Sequence, residues 1–545
     1  MNRKLLTLLS INLFFSFALA QNTVGTIINT EDAAPGYTLF TASTETYLIN
    51  NCGEVINQWS SVYPPGNAVY LLEDGSILRA GRTSSGDITF GGQGGIVEKF
   101  DWDGNLTWQY LYDTPQMRQH HDVYPMPNGN VLILAATVMS NAEAIQAGRN
   151  PSLLPESDLY NEQVIEVTPS GLNGAIVVWE WNINDHLIQD FDATKDNFGD
   201  VGLSQGKLDI NFLNGGSGGS NWLHMNSVQY NEALDQIILS SRNLSEIYII
   251  DHSTTSLEAA SSSGGTYGNG GDFLYRWGNP QSYRHGDETD RLLYGQHYPY
   301  IIEDGLIDAG KMILFNNGNG RTPLFSDVYV FTLPESSPGF YNYTANTAYA
   351  PLAPDYIYNT PTPTDFYSSI LSSAQRLPNG NTLICEGFNG RFFEIDQLEN
   401  KVWEYISPVN NNNGDIASQG DDPGGIANLS FRAIKYPLDY PAFDSRDLTP
   451  DDPIEDNSSM NVACTTLSTN QNESHTVSIY PNPTQSVINI NTRFDIDKIE
   501  IYNIIGAKIA ETYSASFDLS QYKNGVYFLN IYLNGNQISK KIIKY

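Results

Sequence analysis

Four histidines hold similar places in a repeated pattern and are the clearest candidates for chemistry in this chain. The doublet His120-His121, then His224, then His297 each open a segment that is typical of the first strand of a β-hairpin. An imidazole can act as a nucleophile, a base or a hydrogen-bond donor, so several converging imidazoles suit the transfer of a chemical group. We therefore predict an active site where these segments meet.

Two further polar residues accompany His224 in the stretch NWLHMNSVQYNEALDQIILSSRN, residues 221–243. With the two-residue period of a strand, Asn226 points to the same side as His224, and Arg242 follows the strand that pairs back. Imidazole, amide and guanidinium together supply the donors that an oxyanion with several oxygens requires. We predict that the three bind one. A core histidine beside a surface arginine is the structural alternative.

A metal site is a competing use of the same histidines. Three imidazoles would hold zinc or copper, and Asp122 is the one nearby carboxylate. Arg242 would repel a dication, and no His-x-x-x-His spacing accompanies the cluster. We therefore expect neither a metal nor another cofactor. Polar segments, in which we expect solvated side chains, contain the other histidines: His186, His252, His285 and His475.

The histidines lie within a repeat of a few tens of residues. A short strand, a turn with Asn-Gly or Asp-Gly and a β-branched strand recur in NAVYLLEDGSILRAG (67–81), HHDVYPMPNGNVLILAA (120–136), HYPYIIEDGLIDAGKMILF (297–315) and SSAQRLPNGNTLICEGF (372–388). Such turns need positive φ. Each repeat continues with an apolar strand and a strand that contains a tryptophan: Trp59, Trp108, Trp179 or Trp403. Repeated four-stranded units predict the blades of a β-propeller.

Both ends of this repeat region are predicted to complete one blade. Residues 36–59 have the outer strands of a unit without its first hairpin, and LSFRAIKYP (429–437) offers the missing inner strand. Hairpins near residues 67, 120, 224, 297 and 372 start the other blades. We therefore predict an all-β protein: a six-bladed β-propeller over residues 21–446, followed by a small C-terminal β-sandwich. The first strand of each blade would line the central channel and bring distant histidines together.

The segments outside the propeller indicate export. Residues 1–20 have the basic start, apolar run and small residues of a signal peptide. No later stretch has the ~20 apolar residues of a membrane-spanning helix. Residues 447–475 are acidic and rich in Ser, Thr and Asn, which predicts a linker, whereas 476–545 show short alternating strands. A net charge of -33 makes nucleic acid and anionic membranes poor partners.

The three cysteines, Cys52, Cys385 and Cys464, are widely spaced and odd in number. They outline neither a disulfide framework nor a zinc site. A blade built from both ends of the repeat region would allow a Cys52–Cys385 bond.

The C-terminal stretch resembles the C-terminal sorting domain of type IX secretion substrates. The residues that carry the resemblance are Tyr480-Pro481-Asn482-Pro483, Tyr502-Asn503 with Gly506, Gly525-Val526-Tyr527 and the Lys540-Lys541 strand. The resemblance implies recognition by the type IX machinery, passage through the periplasm and outer membrane, and release or surface attachment. A generic carbohydrate-binding β-sandwich is the alternative.

Residues 36–446 resemble the bacterial aryl-sulfate sulfotransferase family, a group that does not use PAPS and has a six-bladed propeller. The resemblance is carried by His121-Asp122 with 127–130, by residues 222–227 with 240–243, by 296–299 with FNNGN (315–319), and by FRAIKYPLDYPAF. It implies a ping-pong transfer: a histidine attacks the sulfur of an aryl sulfate, the phenol departs, and the sulfohistidine passes its sulfuryl group to another phenol.

The resemblance also implies roles for individual residues. It places the nucleophile at His297, lets His224, Asn226 and Arg242 bind the sulfuryl oxygens, and makes His121 a sulfuryl ligand or proton shuttle. Stacking on the phenol ring would fall to aromatic residues near these positions: Tyr294, Tyr298, Trp222 and Phe388.

Three alternatives stay open at this point. The family motif favours His121 as the ring that faces the channel, whereas aligning the hairpin turns pairs His224 with His120. A Thr or Asn of the fifth blade would complete the site, and CEGFNGRFF (385–393) offers Asn389 and Arg391 without deciding between them. The alternative function is a non-catalytic propeller that binds a glycan or protein through its loops, and turnover without an acceptor would indicate a hydrolase.

Overall fold

The computed structural model describes residues 22–84, 86–215, 219–456, 464, 478–492, 496–504, 506–533 and 536–545. The predicted signal peptide, most of the predicted linker and His475 lie outside these residues. The chain divides into two compact units, Met1–Thr465 and Thr466–Tyr545.

Nearly all regular structure of the first unit is β-strand. The strands are β1 Gly25–Asn29, β2 Tyr37–Ala42, β3 Glu45–Ile49, β4 Val55–Ser60, β5 Pro65–Leu71, β6 Ile77–Arg82, β7 Gly95–Phe100, β8 Leu106–Leu111, β9 Met117–Pro125, β10 Val131–Met139, β11 Leu159–Ser170, β12 Gly174–Asn182, β13 Leu187–Ile188, β14 Leu208–Asp209, β15 Met225–Asn231, β16 Gln236–Ser241, β17 Glu246–Asp251, β18 Tyr275–Trp277, β19 His297–Ile301, β20 Met312–Asn316, β21 Asp327–Phe331, β22 Glu335–Ser337, β23 Phe340–Tyr341, β24 Tyr356–Tyr358, β25 Ser373–Arg376, β26 Thr382–Glu386, β27 Arg391–Ile395, β28 Lys401–Ile406 and β29 Ile434–Tyr436.

Helices are few and short. The α-helices are α1 Asn141–Gln146 and α2 Ser256–Ala259, and the 3₁₀ turns are Pro151–Leu153, Ile183–His186, Val201–Leu203, Pro280–Tyr283, Glu288–Asp290, Pro363–Asp365, Gly387–Asn389, Pro423–Gly425 and Pro441–Phe443. None of the helices among the described residues has the length and apolar character needed to cross a membrane.

Six antiparallel sheets form a closed ring. Blade 1 is β5-β6-β7-β8, blade 2 is β9-β10-β11-β12, blade 3 is β15-β16-β17-β18, blade 4 is β19-β20-β21-β24, blade 5 is β25-β26-β27-β28-β1, and blade 6 is β29-β2-β3-β4. First strands of successive blades contact each other from β5 to β25, and β2 contacts β5. Gln375 of β25 exchanges two hydrogen bonds with the backbone of Lys435 in β29, which joins blades 5 and 6. The predicted all-β propeller is confirmed, and blade 6 is built from both ends of the unit.

The four tryptophans that recur in the sequence, and Trp277 of β18, which the sequence did not single out, connect neighbouring blades. Each indole is buried on the outer strand of its blade, and its N–H donates to the next blade at 2.7–3.1 Å. The donor and acceptor pairs are Trp59 with Asp101, Trp108 with Gly174, Trp179 with Thr254, Trp277 with Pro351, and Trp403 with Asn51. A buried indole N–H needs a hydrogen-bond acceptor. Each of these blades therefore contains both the tryptophan and, in the next blade, an acceptor for it.

First strands of four blades depart from regular pairing at equivalent places. Asn67, His121, His224 and Tyr298 have φ values of 94°, 49°, 48° and 53°. The pairing register with the second strand shifts at or next to each of them. Positive φ is uncommon outside glycine, and bulges beside functional sites redirect side chains. Simple alternation of side chains therefore does not hold in this part of the ring.

The first part of the predicted linker packs on the propeller. The backbone N–H of Asp451 donates to the carbonyl of Val55, and Pro453 forms a β-bridge with Glu54. Asp456 pairs in the same way with Ser418. Residues 447–456 therefore continue the first unit.

The cysteine pairing differs from the expectation. Cys52, in the turn between β3 and β4, is bonded to Cys464. Cys385 is a free, buried thiol in β26, packed in a hydrophobic cluster with Phe392 and Trp403. The sequence outlined no disulfide framework and only allowed a Cys52–Cys385 bond. That bond is not formed, because the Cys385 side chain belongs to the core of blade 5 while Cys52 lies in an outer turn.

The second unit contains two sheets around one core. Its strands are β30 Ser478–Tyr480, β31 Val487–Asn491, β32 Ile496–Asn503, β33 Lys508–Thr512, β34 Ser516–Asp518, β35 Gly525–Leu533 and β36 Asn536–Lys544. The sheets are β30-β31-β34 and β33-β32-β35-β36, and Ile488, Ile499, Leu529 and Ile531 are buried in their common core. A β-sandwich has this arrangement.

Candidate active site

The histidines predicted to converge form one cluster, on the first strands of blades 2 and 4 and directly before the first strand of blade 3. The ring centroids of His121 and His224 are 4.7 Å apart, and those of His120 and His121 are 5.2 Å apart. Phe431 packs between His121 and His297, 6.2 and 6.4 Å from their rings. His120, His121 and His297 are at most 2% exposed, and His224 is half-buried.

His297 presents a lone pair on Nε2. Its Nδ1 lies 2.7 Å from Oδ1 of Asn317, whose amide nitrogen donates to the carbonyls of Ser368 and Leu371. Those two donations orient the amide, so His297 carries its proton on Nδ1. Burial, and next the charge of Arg242, lower the pKa of His297 to about 3. The ring is therefore neutral at ordinary pH, as a nucleophile must be.

His224 presents an N–H instead. Its backbone N–H donates to Oδ1 of Asn221 at 3.2 Å, and the Nδ2 of the same amide lies 2.8 Å from Nδ1 of His224. The amide nitrogen donates, so Nδ1 accepts and the ring proton sits on Nε2. Burial and the charge of Arg242 keep the pKa of His224 well below its usual value. His224 is thus a neutral hydrogen-bond donor.

Arg242 adds a cation with unused donors. Its backbone N–H donates to the carbonyl of His224 at 3.1 Å, which holds the two residues together. Nη1 reaches Oδ1 of Asn243 at 3.2 Å, while the buried Nε has no partner within the described structure. Burial lowers the pKa of the guanidinium. A guanidinium with free donors beside a neutral N–H is a site for an oxyanion.

Asn226 has a different position from the predicted one. It is fully buried in β15, and its Nδ2 donates to the carbonyl of Gln296 at 2.8 Å. His224 lies just before the strand with a φ of 48°, so the two-residue period does not relate the two side chains. The side-chain amide of Asn226, which we expected to bind an oxyanion, is therefore used by the backbone carbonyl of Gln296. Through this bond to the residue before it, Asn226 positions His297.

Of the doublet, His121 lies beside His224. His120 stands behind it, with Nδ1 2.9 Å from Nδ1 of His121 and Nε2 2.9 Å from Oε2 of Glu162. His121 and His224 share a left-handed φ, so they hold equivalent positions in their blades. Counting residues back from the hairpin turn pairs His224 with His120 instead, because the bulge in β9 changes that count by one residue. Burial, followed by His224 and His120, holds the pKa of His121 well below its usual value.

Asp122, the carboxylate next to the doublet, belongs to a separate buried network. It accepts from Arg432 at 2.9 Å, from the backbone N–H of Val228 at 3.1 Å and from Gln229 at 3.1 Å. Arg432 also donates to the hydroxyl of Tyr70 at 2.7 Å. The carboxylate is neutralised by arginine and ties together blades 1, 2 and 3. Among the residues described, no three or more His, Cys, Asp or Glu side chains are arranged so that they could hold a metal ion.

The fifth blade contributes less than predicted. Asn389 is exposed and donates to Glu386 at 2.7 Å and to the carbonyl of Tyr367 at 3.5 Å. Arg391 forms ion pairs of 2.6 Å with both Glu386 and Glu404. In the described structure neither side chain contacts the histidine cluster, because local carboxylates occupy both.

Phe90 forms an aromatic wall that the sequence did not single out. It starts the glycine-rich stretch FGGQGG (90–95) between β6 and β7, and its ring lies 5.1–6.4 Å from those of His120, His121 and His224. Gly92 has a φ of 85°, and a Cβ there would lie 1.9 Å from Nε2 of His121. Glycine is needed because the loop backbone touches the imidazole.

The aromatic residues expected to stack on a phenol have other neighbours. Trp222 is buried and its indole donates to Asn161, while Tyr298 packs under the guanidinium of Arg432 at 4.2 Å. Tyr294 lies between Arg291 and Arg321, at 4.2 and 4.8 Å. Phe388 is 48% exposed.

The expectation of solvated histidines outside the cluster is wrong for two of them. His186 is buried and contacts Asp272 at 2.7 Å and the carbonyl of Ala259 at 2.8 Å. His252 lies between Asp235 and Glu166 at 2.6 and 3.1 Å. Burial alone would lower its pKa, but the two carboxylates raise it to about 9.

Comparison with known proteins identifies both units. The family model described as Arylsulfotransferase (ASST) matches residues 43–423. The model described as Secretion system C-terminal sorting domain matches residues 478–545, and this type IX sorting tail indicates secretion to the cell surface or outside. No curated protein matches the chain.

Similarity to solved structures is weak. A protein of unknown function from Bacteroides caccae is 11% identical, covers 74% of this chain and 99% of its own, and has a TM-score of 0.37. A putative 6-phosphogluconolactonase from Bacteroides fragilis is 10% identical, with 75% and 99% coverage and a TM-score of 0.34. Virginiamycin B lyase from Staphylococcus aureus is 11% identical, with 69% and 85% coverage and a TM-score of 0.30.

The family match covers well over half of the chain and includes every clustered histidine. The chain therefore belongs to the arylsulfotransferase (ASST) family.

Proposed function

We propose that the protein is a secreted, PAPS-independent arylsulfotransferase that moves a sulfuryl group from an aryl sulfate to a phenol through a sulfohistidine at His297. The observation that carries this proposal is the pattern of ring protons. His297 offers a lone pair on Nε2, His224 offers an N–H on Nε2, and Arg242 adds a cation with unused donors. Nucleophile and oxyanion donors are thus separate neutral and charged groups in one cluster.

The first half-reaction transfers the sulfuryl group to the protein. Nε2 of His297 attacks the sulfur, the N–S bond forms as the bond from sulfur to the aryl oxygen breaks, and a phenolate leaves. His224 and Arg242 donate to the sulfuryl oxygens as charge develops on them, and each such donor is worth about 3 kcal/mol in the transition state. No protein proton has to be lost first, because His297 is already neutral.

The second half-reaction returns the group to an acceptor. A phenol oxygen attacks the sulfur, the N–S bond breaks, and neutral His297 is regenerated. The proton of the phenol passes to a base, for which we propose His121. Phe90 stands beside the rings of His121 and His224, and its face suits the aryl ring of donor or acceptor. The substrates are therefore small aryl sulfates and phenols, and the type IX machinery is the partner in export.

The test is incubation of the purified protein with a chromogenic nitrophenyl sulfate, with and without phenol. We expect one equivalent of phenolate per protein without acceptor, steady turnover with acceptor, and a sulfuryl adduct on the peptide that contains His297 by mass spectrometry. Neither release nor adduct, together with binding of a glycan or protein, would instead identify a non-catalytic propeller. Steady release without acceptor would identify a hydrolase.

A further inference from the structure

A buried carboxylate continues the histidine chain away from the cluster. Glu162, in β11, is 1% exposed, and its Oε2 lies 2.9 Å from Nε2 of the fully buried His120. Its Oε1 accepts the backbone N–H of Met225 at 2.9 Å. In the part of the chain that the structure describes, no lysine or arginine forms an ion pair with it. Burial of a carboxylate is costly without such a partner, and here the hydrogen bonds from His120 and from the backbone N–H of Met225 offset that cost.

The contacts define how the protons are arranged. Ionised Glu162 only accepts, so Nε2 of His120 carries a hydrogen. When His120 is neutral, its Nδ1 accepts from the Nδ1–H of His121, 2.9 Å away. His121 then shows a lone pair on Nε2, at the ring edge that lies against Gly92 and beside His224.

His121 alone would be a poor base. A second proton on its ring would place a cation in the buried cluster that contains His224, His297 and the guanidinium of Arg242, all of which disfavour it. The charge is far better placed on His120, because that imidazole contacts the carboxylate of Glu162. Moving the Nδ1 proton from His121 to His120 achieves this.

We propose that Glu162 and His120 are positioning residues of a proton relay through His121, which fits the site to weakly acidic phenols; this inference rests on the proposed function. As the phenol oxygen bonds to sulfur and the S–N bond to His297 breaks, the phenol proton goes to Nε2 of His121. The Nδ1 proton of His121 goes to Nδ1 of His120, and the positive charge ends beside Glu162. In the next donor half-reaction the sequence runs in reverse: the charged His120 returns a proton to Nδ1 of His121, and Nε2–H of His121 protonates the departing phenolate. Phenols without electron-withdrawing groups have a pKa of about 10 and need this help, whereas nitrophenols do not.

Replacement of Glu162 by Gln should reverse the direction of the hydrogen bonds that join residue 162, His120 and His121, without removing any of these contacts. The amide oxygen can still accept from Met225, but the amide nitrogen donates to Nε2 of His120. His120 then donates from Nδ1 to His121, and Nε2 of His121 carries a hydrogen in place of the lone pair. The variant therefore loses the base while His297 keeps its own proton on Nδ1.

The experiment separates the two half-reactions. With nitrophenyl sulfate, we expect Glu162→Gln to release one equivalent of nitrophenolate at a rate within about twofold of the unchanged protein. Transfer to unsubstituted phenol should fall about 100-fold, the usual size of a general-base effect, and transfer to an acidic nitrophenol acceptor should fall far less. Glu162→Asp, which keeps the charge, should recover part of the loss.

Glu166→Gln is the matched control. Glu166 lies four residues further along β11 and makes the same kind of contact, 3.1 Å to His252, without a link to the cluster. We expect no acceptor-dependent loss in this variant. If Glu162→Gln does not fold, His120→Gln interrupts the same chain and must show the same selectivity. Equal loss of both half-reactions, or no loss, would overturn the relay, and an unchanged protein that releases no nitrophenolate would overturn the proposed function and the relay with it.

Discussion

Two carboxylates on the same strand of blade 2, β11, each contact an imidazole, and the two contacts differ in purpose. Glu162 contacts His120 of β9 in its own blade, and Glu166 contacts His252, which follows β17 of blade 3. His252 has Asp235 as a second carboxylate, and its pKa is raised to about 9. His120 instead leads to His121, whose pKa is depressed by burial and by the neighbouring histidines.

The number of anions around the imidazole explains the difference. Two carboxylates make His252 a cation that ties blade 2 to blade 3. In the cluster, the one carboxylate, Glu162, contacts only His120, and the guanidinium of Arg242 lies near the other rings. Burial and this positive charge keep His121, His224 and His297 neutral. An ion pair that stabilises the fold needs a charged imidazole, whereas a nucleophilic imidazole has to be neutral.

The largest effect is expected at the nucleophile. His297→Asn should lower turnover by on the order of 10⁴-fold or more and remove the sulfuryl adduct, because no other lone pair replaces Nε2. The thermal midpoint should stay within a few degrees of the original. Phenolate release and mass spectrometry of the His297 peptide measure the outcome, with His285→Asn as the control. Retained adduct would place the nucleophile elsewhere.

The second largest effect is expected when the positive charge of Arg242 is removed from the cluster. Arg242→Met should slow the donor half-reaction by about 10²–10³-fold, because one charged donor to the sulfuryl oxygens is lost. Rapid-mixing measurements of phenolate release give the rate. Arg284→Met removes a partly exposed arginine that pairs with Asp190 and Asp209, and it should leave the rate unchanged. Similar rates in both variants would contradict the assigned role of Arg242.

A smaller loss is expected when the loop against His121 is disturbed. Gly92→Ala should reduce transfer to phenol about tenfold or more, because the new methyl group would occupy the place of Nε2 and displace the ring. Gly104→Ala has nearly the same φ, 82°, but open space around it, so it controls for backbone strain. Equal effects of the two substitutions would show that contact with His121 is unimportant.

The smallest effect is expected at His252, the imidazole between Glu166 and Asp235. The pKa of His252 is raised above its unfolded value, so its contribution to stability is complete below about pH 6.5 and is lost as pH rises through 9. His252→Asn should therefore lower the thermal midpoint by a few degrees at pH 6 and by less at pH 10, with unchanged transfer. A deficit that is equal at both pH values would contradict a charged bridge.

Local sequence patterns were sufficient for the architecture. Turns with Asn-Gly and Asp-Gly, strand periodicity and recurring tryptophans depend on neighbours in the chain, and they predicted the propeller and the blade shared by both ends. The same patterns failed where strands are irregular. The bulge at His224 moved Asn226 to the backbone of Gln296, and the bulge at His121 changed which ring of the doublet faces the cluster.

The sequence by itself determined which residue types were available, how they recur and that His121, His224 and His297 converge. The ring protons of His297 and of the His120–His121 pair were decided only by tertiary contacts, since Asn317 and Glu162 come from other strands or loops of their blades. The Cys52–Cys464 bond was decided in the same way. The physical reason is common to these cases: a hydrogen bond or disulfide between distant segments depends on distances of a few ångströms that no local pattern encodes.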